Sequence, residues 1–319
     1  MKIGIAGTGR MGSAIAQRLI ELDHEVRVWN RTADNAYQAR EAGGRWTPAL
    51  GEMVNDSDVV ISSLFDDAAV KRVYLGPNGL LTGRVEGRLF IDMSTVSPDN
   101  HRWIAPAMAA RNAGFIECPV SGSIPAARSG ALVGFAGGET PEFERAQPLL
   151  LQLCRRVEHV GLLGAGARMK LAANLLLAVF WQALGESLLL VDPSAMDAAR
   201  TIDLLADSNI GAAVLRTRAP QIVAAMNGDP SGVATFDVDT MCKDLRYMAQ
   251  EAAARGSSLP LASRTLECFD RASREGRGAV DSVAYPADWI AQQKRMANSI
   301  MRPASSGIGS IAAASQGQP

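Results

Sequence analysis

The chain is poor in the residues that build metal centres and disulfide scaffolds. It has four cysteines and three histidines in 319 residues. Cys118, Cys154, Cys242 and Cys268 lie far apart with no CxxC pair, which excludes a disulfide-dense secreted scaffold and a sequence-local zinc site. Free thiols in a reducing cytoplasm are expected. His24, His101 and His159 are scattered without HExxH spacing, so no metal is expected to be held. An excess of one charge is also missing. Lys and Arg number 32 and Asp and Glu 33, a net charge of −1, so there is no global positive field to hold a nucleic acid. Long uninterrupted apolar runs are missing too. The most apolar stretch, Leu171–Val191, carries Asn174, Gln182 and Glu186, whereas a membrane span needs about 20 apolar residues. At the start, Arg10 cuts short the apolar run that would mimic a signal peptide.

What remains is a globular composition, 47% apolar and 20% charged, on a chain long enough for two domains or one large one. The first half alternates β-rich runs with helical spacing. Strands are expected at Lys2–Ala6, Glu25–Trp29, Asp58–Ser62, Leu89–Asp92, Phe115–Cys118, Leu132–Ala136 and Val157–Val160. Helices are expected between most of them, at Met11–Leu22, Ala33–Ala42, Ala68–Tyr74, Pro98–Asn112 and Pro141–Leu153. That alternation implies βαβ units and a mostly parallel sheet covered on both faces. Past Gly161 strand signals nearly vanish. Helices are expected over Ala167–Val191, Pro193–Ser208, Ala213–Asn227, Thr240–Arg255, Leu261–Glu275 and Pro286–Met301. The expected organisation is an α/β domain over 1–162, an all-helical domain over 163–301 and a disordered tail, rich in Ser, Gly, Ala and Gln, over 302–319.

The first strand runs into Gly7-Thr8-Gly9-Arg10-Met11-Gly12, a GxGxxG that opens a helix. Gly7 permits the tight turn, Gly9 lets the backbone approach a pyrophosphate, and Gly12 lets helix and strand pack closely. The free N–H groups of the helix start, behind Arg10 and Met11, then face the anion. Alone, the motif also fits an ordinary glycine-rich turn; its place at the start of a βαβ pattern favours a dinucleotide. The second strand ends Asn30-Arg31-Thr32, where an NAD site usually has a carboxylate for the ribose 2′-hydroxyl. A guanidinium grips a 2′-phosphate that a carboxylate would repel, so NADP is expected, read by Asn30, Arg31 and Thr32. The plainer reading of Arg31 is a surface arginine.

Seven motifs then follow one another: GIAGTGRMGSAIAQRL, WNRT, ISSLF, IDMSTVSP, CPVSGS, GAGARMKLAAN and MCKDL. In order and spacing they resemble the β-hydroxyacid dehydrogenase family over about residues 1–290. Its members include 3-hydroxyisobutyrate dehydrogenases and semialdehyde reductases. The resemblance implies a Rossmann domain followed by a helical domain, an active site in the cleft between them, and a homodimer or homotetramer. It places Lys170 on the catalytic lysine and Asn174 on the asparagine four residues later. Ser121, Gly122 and Ser123 fall on the loop that seats a substrate carboxylate. Thr95 falls beside the nicotinamide ribose, Leu64 and Phe65 on the loop against the coenzyme, and Lys243 on the lysine reaching coenzyme and substrate. The chain departs from the pattern at Ala173, where a second asparagine is usual, and at Ser123, where the family leaves room. The family's Asp-x-Ser-Ala pattern is missing around Val280–Trp289.

The residues themselves support part of this. Reducing an aldehyde generates an alkoxide that needs a proton, and a lysine suits once burial brings it toward neutrality. The helix after Lys170 is apolar nearly all round, and Asn174 at i+4 shares the lysine's face. The plainer readings are a surface lysine in a first turn for Lys170 and a solvated helix face for Lys243. The expected function is NADP-dependent, reversible hydride transfer between NADPH and a small carboxylated aldehyde or ketone. An NADPH-dependent imine reductase and a non-catalytic NADP-binding regulatory or scaffold protein are the alternatives; Lys170 argues against the first.

Overall fold

The computed structural model describes residues 1–191, 196–208, 213–229 and 234–301. The expected tail over 302–319 lies outside them, as do the first residues of the helix expected over 193–208. Nine strands form one sheet among the described residues: β1 Lys2–Ala6, β2 Glu25–Trp29, β3 Arg45–Trp46, β4 Val59–Ser62, β5 Leu89–Asp92, β6 Gly114–Glu117, β7 Val120–Ser121, β8 Leu132–Gly137 and β9 Cys154–Gly161. The order β3-β2-β1-β4-β5-β6 is parallel throughout. β8 then pairs antiparallel with β6 and β7 and parallel with β9. The order reverses between β1 and β4, and such sheets bind ligands beyond the strand ends at that reversal.

The helices of this part are α1 Arg10–Glu21, α2 Tyr37–Glu41, α3 Leu50–Asn55, α4 Asp67–Leu75, α5 Pro98–Ala109, α6 Ile124–Arg128 and α7 Thr140–Leu153. Strand alternation sorts the core into two layers. Ile3, Ile5, Ile61, Ile91 and Ile116 pack with Ile15, Leu19, Leu149 and Leu153 on one face. Val60, Phe90 and Phe115 pack with Met53, Tyr74, Ile104 and Met108 on the other. Both layers are dry because helices cover both faces. The sequence reading missed β3, α3, β7 and α6, each too short to show a period.

The remaining helices are α8 Ala165–Leu189, α9 Ala198–Asp207, α10 Ala213–Met226, α11 Val238–Ala254, α12 Pro260–Ala272 and α13 Tyr285–Met301. Packing divides the chain elsewhere than at residue 162. One compact unit joins Met1–Trp181 to Gly232–Ser282, so the first two-thirds of α8, with α11 and α12, belong with the sheet. In the second unit Gln182–Ser231 joins Val283–Pro319. There Tyr285 donates its hydroxyl to Gln182 Oε1 at 2.6 Å, and Gly185 leaves room for Trp289 and Pro286.

α8 is long and apolar enough to cross a membrane by length and composition. Two of its interrupting polar groups are nonetheless buried and bonded, Asn174 to Asp244 and Gln182 to Tyr285, and the exposed Glu186 accepts from Gln182 at 2.7 Å. A helix with such partners reads as an internal one.

Candidate active site

The glycine loop has the steric features expected of it. Gly7 has φ +98°, and a Cβ there would meet Ser63 O at 2.3 Å; a Cβ on Gly12 would meet Gly7 O at 1.9 Å. A Cβ on Gly9 would meet nothing within 4 Å. Gly7 and Gly12 therefore serve the fold, and Gly9 leaves its backbone open to a ligand. Met11 packs on the core beneath, so only its backbone can face a pyrophosphate.

Beside this loop lies a cavity of about 550 Å³, lined by Gly7, Gly9, Asn30, Arg31, Thr32, Leu64, Phe65 and Arg72, among others. Asn30 is more occupied than the sequence suggested. Its Oδ1 accepts from Thr8 N at 3.2 Å and its Nδ2 donates to Thr32 O at 2.9 Å, clipping the end of β2 to the glycine loop. Arg31 has neither an ion pair nor a hydrogen bond among the described residues and is exposed at the cavity. Arg72 on α4, which sequence reasoning did not single out, lines the same wall. Arg10 pairs instead with Asp237 at 2.9 Å; Asp237 also caps α11 by accepting from Thr240 N. The glycine loop and the start of α11 are thus tied together.

The expected catalytic residues meet in a chain of contacts between α8 and α11. Lys170 Nζ donates to Asn174 Oδ1 at 3.0 Å, and Asn174 Nδ2 donates to Asp244 Oδ2 at 2.6 Å. The other Asp244 oxygen lies 2.9 Å from Lys243 Nζ, which also donates to Thr95 O at 2.7 Å. Lys243 sits 5.5 Å from the centre of the Phe65 ring and 5.2 Å from that of Tyr247. It is therefore not on a solvated face: its side chain is 13% exposed. Lys243 meets the carboxylate directly and Lys170 reaches it only through Asn174, so the chain holds two lysines and one acid. Burial pushes the Lys170 ammonium down to about 8; Asp244 opposes that shift and Lys243 adds to it.

Asp244 and Tyr247 were missed from sequence, and for Asp244 a signal existed. Met241, Leu245, Met248 and Ala252 form the buried face of α11, and Asp244 falls within it by spacing. An acid on a core face demands a partner.

Leu64 N donates to Ser94 Oγ at 2.9 Å, which holds the loop after β4 against the loop after β5. Phe65 is 59% exposed at the cavity mouth. Ser121, Gly122 and Ser123 form the turn from β7 into α6, with Gly122 at φ +142°. Among the described residues, neither serine side chain bonds to Lys170, Asn174 or Asp244.

Two family models cover nearly all the described chain. The one for the NAD binding domain of 6-phosphogluconate dehydrogenase matches residues 2–161. The one for the NAD-binding of NADP-dependent 3-hydroxyisobutyrate dehydrogenase matches residues 164–286. Glyoxylate/succinic semialdehyde reductase 1 of Arabidopsis thaliana is 30% identical over 89% of this chain and 96% of its own length. 3-Hydroxyisobutyrate dehydrogenase of Pseudomonas aeruginosa is 32% identical over 84% and 90%. The cytokine-like nuclear factor N-PAC of Xenopus tropicalis is 29% identical over 85% of this chain, which spans 50% of that longer protein. Among solved structures, 3-hydroxyisobutyrate dehydrogenase of Mycobacterium tuberculosis with L-serine superposes with a TM-score of 0.78 at 26% identity, covering 90% of this chain and 98% of that one. Psf3 in complex with NADP+ and 2-OPP gives 0.80 at 25%, covering 91% and 99%. Glycine loop, sheet order, lysine–asparagine pair and these matches agree: the chain belongs to the β-hydroxyacid dehydrogenase family of NAD(P)-binding oxidoreductases.

Proposed function

We propose that the protein is an NADP-dependent oxidoreductase that interconverts a small carboxylated aldehyde or ketone and its hydroxyacid. The observation that carries this reading is the Lys170–Asn174–Asp244–Lys243 chain, with a desolvated ammonium at its end. The open backbone at Gly9, the cavity beside it and the exposed guanidinium of Arg31 suit a phosphorylated dinucleotide. The coenzyme, when bound, supplies or accepts the hydride. Lys170 holds the proton at Nζ. In reduction it gives that proton to the carbonyl oxygen as negative charge develops there, and in oxidation it takes the hydroxyl proton back. Asn174 accepts one Lys170 N–H, which sets the direction of the others. Asp244 fixes the Asn174 amide, since its carboxylate accepts from Nδ2 and leaves Oδ1 toward Lys170.

NADP is favoured over NAD because β2 ends in Trp29 and is followed by Asn30, Arg31 and Thr32, with no carboxylate among them to repel a 2′-phosphate. The naming of NADP for the matched C-terminal family model and for the Psf3 complex supports this choice. A carboxylate on the substrate suits the excess positive charge and the backbone N–H groups of the Ser121–Ser123 turn. The substrates named for the plant and bacterial relatives support the same class. The exposed, apolar Met169 and Leu176, seven apart on α8, suit a homodimer or homotetramer. The free, buried thiols suit the cytoplasm.

The test is oxidation of NADPH and of NADH with glyoxylate, succinic semialdehyde, methylmalonate semialdehyde, tartronate semialdehyde and a cyclic imine. Turnover of a carboxylated aldehyde with preference for NADPH supports the proposal. Turnover of the imine alone, or NADPH binding with no turnover, overturns it.

A further inference from the structure

A second polar cluster lies beneath the site, and the hydride chemistry does not use it. Asp92, His101 and Glu117 are each fully buried. His101 Nε2 is 2.7 Å from Asp92 Oδ2, and Nδ1 is 2.6 Å from Glu117 Oε2. Asp92 and Glu117 are register partners at the ends of β5 and β6. Burial would strip the imidazole of its charge, but the two carboxylates outweigh it and push His101 up to about 10. The imidazole is therefore held in its protonated form between the two acids.

Besides a bond from Ser62 Oγ to Asp92 Oδ1 at 2.6 Å, the cluster bonds to the elements that carry the catalytic residues. Glu117 Oε1 accepts from Gly164 N at 2.6 Å and Gly166 N at 2.9 Å, and Oε2 from Ala167 N at 3.3 Å. These amides lie just before and within the first turn of α8, and Lys170 follows one turn later. Glycine makes room for the carboxylate: a Cβ on Gly137 would come 2.3 Å from Glu117 Oε1, and one on Gly166 would come 3.2 Å from it. At the other end, Asp92 Oδ1 accepts from Ser94 Oγ at 2.6 Å, and Ser94 Oγ in turn accepts from Leu64 N.

We infer that Glu117 is a positioning residue for Lys170, its carboxylate pinning the first turn of α8 to the end of the sheet so that the ammonium meets the substrate oxygen in one place. This rests on the reading of Lys170 as the acid. Stability alone does not account for the cluster, because well-packed apolar residues commonly replace a buried ion network at no cost. What a carboxylate adds is geometry. It satisfies three amide N–H groups of one helix end, which otherwise lack partners, while His101 and Asp92 fix the carboxylate itself. A displacement of about 1 Å at a reacting group costs on the order of 100-fold in rate.

The experiment is a double-mutant cycle of Glu117→Gln and Lys170→Ala. It is read as kcat per NADPH-binding site with the best aldehyde of the panel, alongside the aldehyde KM and the NADPH dissociation constant. Glu117→Gln is expected to lower kcat per site by about ten-fold or more, leaving KM and NADPH affinity within about two-fold. In the Lys170→Ala background it is expected to change kcat by less than about two-fold, because its effect passes through Lys170. A purely structural role would reduce the number of binding sites and leave kcat per site unchanged, which overturns the inference. So would an equal loss in both backgrounds. Wild-type kcat in Lys170→Ala itself would instead overturn the Lys170 reading, and this inference with it. Should Glu117→Gln yield no NADPH-binding protein, Glu117→Asp, which keeps the charge at shorter reach, goes through the same cycle with the same criteria.

Discussion

Asn174 donates its amide to Asp244 across 2.6 Å, and that bond decides which way the asparagine points. With Nδ2 committed to a carboxylate that can only accept, Oδ1 must face Lys170. Asp244 is fully buried, and its second oxygen is shared with Lys243, so the orientation is anchored from α11. Asp244→Asn removes the charge but keeps the shape. It is expected to lower kcat by about ten-fold or more and to move the basic limb of the reduction profile to lower pH, because Asp244 raises the Lys170 pKa. A profile and kcat matching the wild type would contradict this role.

The wild-type pH dependence follows from the lowered Lys170 pKa. Reduction needs the protonated ammonium, so its kcat is expected to fall as pH rises through about 8. Oxidation needs the free amine and is expected to rise through the same pH. Parallel profiles in the two directions would count against a single group acting as acid and base.

Arg31 is the cation at the end of β2 with no partner among the described residues. Arg31→Ala is expected to raise the NADPH KM by about ten-fold or more and to leave the NADH KM nearly unchanged. Equal loss for both coenzymes would show that Arg31 reads something other than the 2′-phosphate.

Gly9 and Gly12 separate fold from binding. Gly12→Ala puts a Cβ 1.9 Å from Gly7 O and is expected to lower the melting temperature. Gly9→Ala meets no protein atom within 4 Å, so the melting temperature is expected to hold while NADPH affinity falls. Thermal shift with and without NADPH reads both effects.

Much of this was legible in the sequence because periodicity and glycine spacing are local. β1, β2 and β5 fall where the alternation put them, and the roles of Gly7 and Gly12 follow from steric rules that need no partner. The Lys170–Asn174 pair was legible because i and i+4 share a helix face. Asp244 was not read, since its partner is 70 residues away in sequence and only the apolar face of α11 hints that it is buried. The Asp92–His101–Glu117 cluster was hidden for the same reason: strand ends are brought together by the sheet, and no spacing along the chain reports register. Asn30 lines the cavity, and its amide also ties the end of β2 to the glycine loop, a second role that no spacing along the chain reports.

The most direct test of the account is kcat for NADPH-dependent reduction of a carboxylated aldehyde by Lys170→Ala, with NADPH affinity measured on the same protein. Loss of the proton donor is expected to lower kcat by roughly 100-fold to 10,000-fold, with NADPH affinity nearly unchanged, since the glycine loop and Arg31 are untouched. A Lys170→Ala protein that binds NADPH and turns over at the wild-type rate would contradict the central claim.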